Sequence, residues 1–278
     1  MRLRPSFVFG LLGLVVLSPF LSYSQERAPR GLNTSLATLR SRAETGDAAA
    51  QFDLGYVYEK GDGVPQSYRQ AAYYYQTAAD QGHATAANNL ALLYDHGWGV
   101  EKDLRKAVHW YQEAAEHGDP TGQCNFASLY FSGRGVRRDY EKAAKWFEAA
   151  ARQGLPAAQN NLAYMYYHGM GVSRDYATAA QWTRRAADSG YAMAQTDLGF
   201  LYEQGKGVPL DYISAYMWYT LGANEGDSRS LERMKSLSGL MVQKQVSEAK
   251  IRAAAWMPRP ESAISAGDQR ASHSAPEH

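Results

Sequence analysis

The sequence predicts an all-α fold, an α/α solenoid superhelix of five 36-residue helix-turn-helix repeats with helical caps. Three observations predict it. Gly46, Gly82, Gly118, Gly154, Gly190 and Gly226 stand 36 residues apart without an insertion. Within that interval Leu54, Leu90, Phe126, Leu162 and Leu198 align. Small residues (Ala50, Ala86, Gly122, Ala158, Ala194) stand four before them and tyrosines (Tyr58, Tyr94, Tyr130, Tyr166, Tyr202) four after, which is one face of a helix. A second helical pattern follows a recurring glycine pair, so each repeat reads as a helix hairpin with a helix A and a helix B.

Taken in order, residues 1–24 read as a signal peptide: Arg2 and Arg4 precede an apolar run from Phe7 to Leu21, Pro19 breaks it, and Ser22 and Ser24 suit cleavage before Gln25. The run is about 15 residues, short of the ~20 that a spanning helix needs, so no stable membrane insertion is expected after its removal. Residues 25–45 form an N-terminal segment whose SLATLRSRAETG ends like a helix B and caps the first repeat. The five repeats then span 46–81, 82–117, 118–153, 154–189 and 190–225.

Inside each repeat, helix B opens at Ser67, Asp103, Asp139, Asp175 or Asp211, placed as N-caps. Tyr74, Trp110, Trp146, Trp182 and Trp218 follow as the large rings, then the small pairs from Ala78-Ala79 to Gly222-Ala223. Small residues opposite rings allow close helix approach, with the rings filling the gaps between turns. Residues 226–256 keep helical apolar spacing through Leu231, Met234, Leu237, Val246, Ala249 and Ala253 without the glycine pair, and read as degenerate capping helices. Residues 257–278, rich in Pro, Ser and charge, read as a disordered tail.

The glycine pair in DHGWGVEKD (residues 95–103) invites comparison with a phosphate loop. A dinucleotide fingerprint needs a third glycine, where Lys102 stands, and a preceding strand. The pair also recurs in EKGDGVPQS, FSGRGVRRD, YHGMGVSRD and EQGKGVPLD, and a feature used five times is architecture. Gly97 and Gly99 therefore serve the turn between helices A and B, and Gly82 and its equivalents close helix B.

The elements A-x-x-x-L-[GA]-x-x-Y, G-x-G-V, D-Y-x-x-A and W-[YF]-x-x-A-A resemble the Sel1-like repeat, a relative of the tetratricopeptide repeat. The stretch LPAAQNNLAYMYYHGMGVSRDYATAAQWTRRAADSG matches nearly throughout. The resemblance implies a superhelix that binds proteins or peptides and scaffolds signalling, envelope or secretion assemblies. Some exported relatives are cysteine-rich, whereas Cys124 is the one cysteine here, so that subgroup's activities are not carried over.

Composition narrows the partners. Loss of residues 1–24 takes the formal net charge from +1 to −1, which gives no electrostatic case for nucleic acid. His109, Glu113 and His117 share a face of helix B at metal-ligand spacing, but the aligned positions mix charged, polar and apolar types, as a solvated face does. No H-E-x-x-H, G-x-S-x-G, Walker or C-x-x-C motif occurs, so neither enzyme activity, nor a metal, nor a cofactor is expected.

One polar column, Asp53, Asn89, Asn125, Asn161 and Asp197, precedes the Leu column. Two roles are open to it. The amides can bond neighbouring repeats, or they can line a concave groove and hold an extended peptide. In the second role the candidate binding residues are Asn89, Asn125, Asn161, Tyr164, Tyr167, Tyr56 and, on the loop rim as an exposed ring, Trp98, with Phe131 and Phe200 as further anchors. The expected function is that of an exported, non-catalytic scaffold or regulator with a protein or peptide partner, periplasmic or else secreted. The alternative is an envelope hydrolase or glycan-binding protein with a site built from repeat loops.

Overall fold

The structure is a computed structural model and describes residues 35–259. The expected signal peptide and residues 260–278 of the expected tail lie outside the described residues. Thirteen helices and no strand occur among the described residues. They divide into two compact units, residues 35–153 and residues 154–259.

The first unit holds α1 (Leu36–Glu44) and three helix pairs: α2 (Ala48–Lys60) with α3 (Tyr68–Ala79), α4 (Ala84–His96) with α5 (Leu104–Glu116), and α6 (Pro120–Ser132) with α7 (Tyr140–Arg152). The second holds α8 (Pro156–His168) with α9 (Tyr176–Asp188), α10 (Ala192–Gln204) with α11 (Tyr212–Asn224), then α12 (Ser228–Ser238) and α13 (Gln243–Ala254).

Local sequence explains each boundary. Asp103, in extended backbone at φ −142°, accepts from the N–H groups of Arg105 at 2.9 Å and Lys106 at 3.1 Å, satisfying donors that an uncapped α5 would leave orphaned. Ser67, Asp139, Asp175 and Asp211 cap their helices likewise. Helix A of repeat two ends at Gly97, in the left-handed region at φ +77°, where a side chain is strained.

The second glycine of the pair has a different task. A Cβ on Gly99 would lie 2.3 Å from the carbonyl carbon of Tyr68, and one on Gly207 1.9 Å from the carbonyl oxygen of Tyr176. Each thus lets its loop lie against the start of helix B in the preceding repeat.

The core follows the aligned columns with one correction. Leu54, Leu90, Phe126, Leu162 and Leu198 are buried, as is the small column before them, and a Cβ on Gly122 would come 2.5 Å from the Cβ of Ala114. The ring that fills the gap, however, is the residue after the expected one. Tyr75, Tyr111, Phe147 and Tyr219 are buried, whereas Tyr74, Trp110, Trp146 and Trp182 are half-buried. Adjacent helix positions lie about 100° apart, and the inner one points at helix A. Burying such a ring stabilises by roughly 1.5–3 kcal/mol.

A buried tyrosine hydroxyl needs an acceptor, and helix A supplies it 16 residues earlier. Tyr75 donates to Glu59 at 2.8 Å and Tyr219 to Glu203 at 2.5 Å, each ring lying over a glycine, Gly55 or Gly199. Burial and the adjacent carboxylate push both phenols well above their ordinary range. Where helix B carries Phe147 or Thr183, helix A carries Phe131 or Tyr167 instead of an acid.

Helices flank the repeats at both ends. Leu39 and Ala43 of α1 bury against Ala50, Leu54 and Val57 of α2. Both α12 and α13 lie against α11, burying Leu237, Val246 and Ala249. Leu231 is exposed, although its offset is buried in the five repeats, where Gln51, Gln123, Gln159 and Gln195 stand at it.

Candidate functional site

The polar column lies between repeats rather than on a free surface. In the first unit Asn125 donates through Nδ2 to Oδ1 of Asn88 at 2.9 Å, and Asn88 donates to Oδ1 of Asn89 at 3.3 Å. All three are buried. The bond joins a residue of one repeat to the residue one position further along in the next, so two adjacent columns take part and the sequence showed only one of them.

In the second unit the same offset pairs Asn160 Nδ2 with Oδ2 of Asp197 at 3.1 Å. Asn161 is also buried there, and Oδ1 of Asn160 has no hydrogen-bond partner among the described residues. Arg229 of α12 reaches Oδ1 of Asp197 at 3.3 Å while holding Asp227 at 2.6 Å. Burial outweighs these partners and pushes the Asp197 carboxyl up to about 7. Arg229, together with Arg233, which reaches Glu203 at 3.4 Å, thus ties the cap to the repeats, and no repeat signature announced either.

A third polar set closes helix ends. Gln51 donates to the carbonyl of Ala43 at 3.1 Å and Gln123 to that of Ala115 at 3.2 Å, meeting carbonyls that a helix C-terminus leaves open. Gln81 and Gln153 donate in turn to the side-chain oxygens of Gln51 and Gln123, at 2.7 and 2.8 Å. His83 serves as the N-cap of α4, its Nδ1 accepting from Ala86 N–H at 3.2 Å. That role needs a neutral ring, and burial against Phe52, 4.6 Å away, lowers its pKa.

The aromatic candidates are half-buried, except Phe200, which is buried. Tyr56 lies on α2 with the Lys60 ammonium 5.5 Å from its ring centre. Tyr164 and Tyr167 flank His168 on the last turns of α8, at centroid distances of 4.3 and 5.0 Å, and Tyr167 also meets Tyr176 at 5.0 Å. Phe131 packs on Tyr140, and Phe200 is buried with the Arg233 guanidinium 5.5 Å from its ring centre. Trp98 is not the exposed ring that the sequence suggested. It lies between His96 at 4.6 Å and Tyr68 at 5.6 Å, because the close approach of Gly99 to Tyr68 draws the loop onto the preceding repeat.

His109 is exposed, and His117 bonds the Glu113 carbonyl at 2.8 Å through Nδ1. Among the described residues no group of three His, Cys, Asp or Glu side chains has metal-binding geometry, and no helix is long and apolar enough to cross a membrane. Cys124 is buried.

Comparison with known proteins agrees with this architecture. No curated protein matches the chain at a significant level. Among solved structures, c5321, described as a protective antigen present in uropathogenic Escherichia coli strains and displaying an SLR fold, is 32% identical with a TM-score of 0.71. The match covers 92% of this chain and 60% of c5321, so this chain spans less than two thirds of that relative. A Sel1 repeat protein from Oxalobacter formigenes is 31% identical with a TM-score of 0.69, over 77% of this chain and 88% of that one. The Sel1 repeat model matches residues 48–83, 84–119, 120–155, 156–191 and 192–227, the same 36-residue period offset by two from the glycine frame. With about two thirds of its length accounted for by those five units, the chain belongs to the Sel1 repeat family.

Proposed function

We propose that this protein is an exported, non-catalytic scaffold that holds a protein or peptide on partly exposed aromatic side chains of its helix A surfaces. The observation that carries the reading is the contrast between columns. The leucine and alanine columns repeat almost unchanged, whereas two helix A columns differ between repeats: Tyr56, Leu92, Ser128, Tyr164, Phe200 and Glu59, Asp95, Phe131, Tyr167, Glu203, of which Tyr56, Phe131, Tyr164, Tyr167 and Glu203 are half-buried and the others buried. Half-buried positions that differ while the frame repeats are where an interaction surface acquires its specificity. Tyr164 and Tyr167, on adjacent turns of one helix with His168 between them, offer two amphipathic rings to one ligand segment. Family membership supports the class of function, since Sel1 repeats typically mediate protein interactions.

The test is selection of binders from a displayed library of extended peptides, followed by titration against the Tyr164→Ala/Tyr167→Ala variant. Binding should weaken about tenfold or more, roughly 1.4 kcal/mol, with helicity retained. Selected peptides that bind the variant unchanged would remove these rings from the site. Export is tested separately by intact mass of the protein from its native host, which should begin near Gln25. A dominant form still carrying residues 1–24 would refute it.

A further inference from the structure

The chain carries its own example of a ligand seated on the helix B side. Beyond α13, residues 255–259 leave the helix and run against the end of α9. Trp256 packs edge-on against Trp218 at 5.9 Å, Pro258 lies 3.8 Å from where a Cβ on Gly190 would stand, and Arg259 N–H donates to the Asp188 carbonyl at 2.6 Å. The Arg259 guanidinium also acts electrostatically on the Asp188 carboxyl. Under this cover Trp218 is only 3% exposed, whereas its equivalents Tyr74, Trp110 and Trp146 in the first unit are half-buried.

The 36-residue period places the same three groups elsewhere. Two repeats before Asp188, Gly190 and Trp218 stand Glu116, Gly118 and Trp146, and three repeats before stand Asp80, Gly82 and Trp110. The seats differ in two respects. Over Gly82 the proline's place is taken by the chain's own His117, 3.5 Å from a Cβ position, whereas no atom lies within 4 Å of a Cβ on Gly118, the equivalent Gln153 instead donating to the Gly118 carbonyl at 3.1 Å. The acid differs too. Asp188 has Arg184 as well as Arg259 beside it, whereas at the offset of Arg184 the earlier seats carry Gln112 and Gln76, which donate to Glu116 and Asp80 at 2.8 Å. A neutral donor leaves the carboxylate's charge in place for a cation.

We propose that Trp146, Gly118 and Glu116 form a docking seat for an extended peptide segment with an aromatic residue followed closely by proline and arginine. It would bind as Trp256, Pro258 and Arg259 bind at Trp218, Gly190 and Asp188. This surface lies on helix B and at the repeat junction, and is independent of the helix A reading above.

The probe is a fluorescein-labelled peptide AAWMPRP, the sequence of residues 254–260, titrated into the full chain by anisotropy. Saturable binding in the tens to hundreds of micromolar is expected, as befits one ring and one charge pair. Glu116→Lys changes an exposed side chain at a helix end and leaves the fold intact. It should weaken the peptide about threefold to tenfold, and a peptide with glutamate in place of arginine should regain affinity for that variant. Absence of saturable binding overturns the proposal, as does equal affinity for the Glu116→Lys chain. Binding lost in Asp188→Lys but kept in Glu116→Lys also overturns it, because the peptide would then be displacing the chain's own segment.

Discussion

The sharpest prediction concerns Asp197, which is fully buried between Asn160 and Arg229. Its carboxyl sits at about 7 in the folded protein against 3.8 when exposed. A raised acid means that the native state holds more protons than the unfolded one throughout that interval. Its contribution to stability is therefore complete below 3.8 and lost as pH rises through 7. Between pH 5 and pH 8 the loss is on the order of 2–3 kcal/mol. The charged groups facing it are Arg229 of α12 and Asp227, the N-cap of that helix, with the Tyr219–Glu203 pair next to them. Asp197→Asn keeps the shape and removes the titration. Urea melts of both proteins at pH 5 and pH 8, followed by circular dichroism, give the effect as a difference in which titrating groups not coupled to Asp197 cancel. Relative to the variant, the native protein should lose about 2 kcal/mol or more from pH 5 to pH 8. A difference that stays flat or rises would show that Asp197 is ionised at pH 5 and that the Arg229 pair, not burial, sets its protonation.

Two further expectations follow from packing. Phe147→Ala should cost about 3–5 kcal/mol in urea melts and Trp146→Ala distinctly less, with His109→Ala within about 0.5; equal costs for the two rings would reverse the assignment of the inner face. Gly99→Ala should destabilise well beyond the roughly 1 kcal/mol that left-handed backbone alone costs, because its Cβ meets Tyr68 backbone, whereas Gly63→Ala, with nothing within 4 Å, should cost only that; similar melting temperatures for the two would exclude the close approach as a stabilising contact.

The hairpins, their caps and their turns were legible because a period repeated without insertion averages out local ambiguity. Asp103 and its equivalents were recognisable as caps from residue type and position alone. The ring column was misread by one residue because Trp146 and Phe147 are both large and apolar. Which of two neighbours faces helix A depends on rotation of the helix, which period alone does not resolve. The polar ladder was half visible. Asn125 stands in a regular column, but its acceptor Asn88 lies in a column interrupted by Phe52, Cys124 and Thr196, and the bond spans 37 residues, not 36. Arg229 and Trp256 were invisible as contact residues because the cap has no repeat against which to compare them.

The buried acid–tyrosine pairs explain why the variable helix A column varies as it does. Glu59 and Glu203 stand opposite Tyr75 and Tyr219, and each tyrosine ring needs the space that Gly55 or Gly199 leaves. In the third and fourth repeats Phe147 and Thr183 have no phenol to satisfy, Ala127 and Ala163 replace the glycines, and the acid gives way to Phe131 or Tyr167. A carboxylate at either position would have no phenol donor and would carry the desolvation cost of a half-buried charge. Rings at 131 and 167 are therefore permitted by what the facing helix lacks, and they remain partly exposed because nothing in the core requires them to be covered. Variation in this column is thus coupled through the hairpin to the ring position of helix B, whereas the glycine position varies independently, since Ala91 accompanies Tyr111 and Asp95 in the second repeat. A repeat of this kind changes that column together with the ring facing it, and on the reading proposed above the aromatic repeats, and not the acidic ones, are where a partner's apolar side chain would be accommodated.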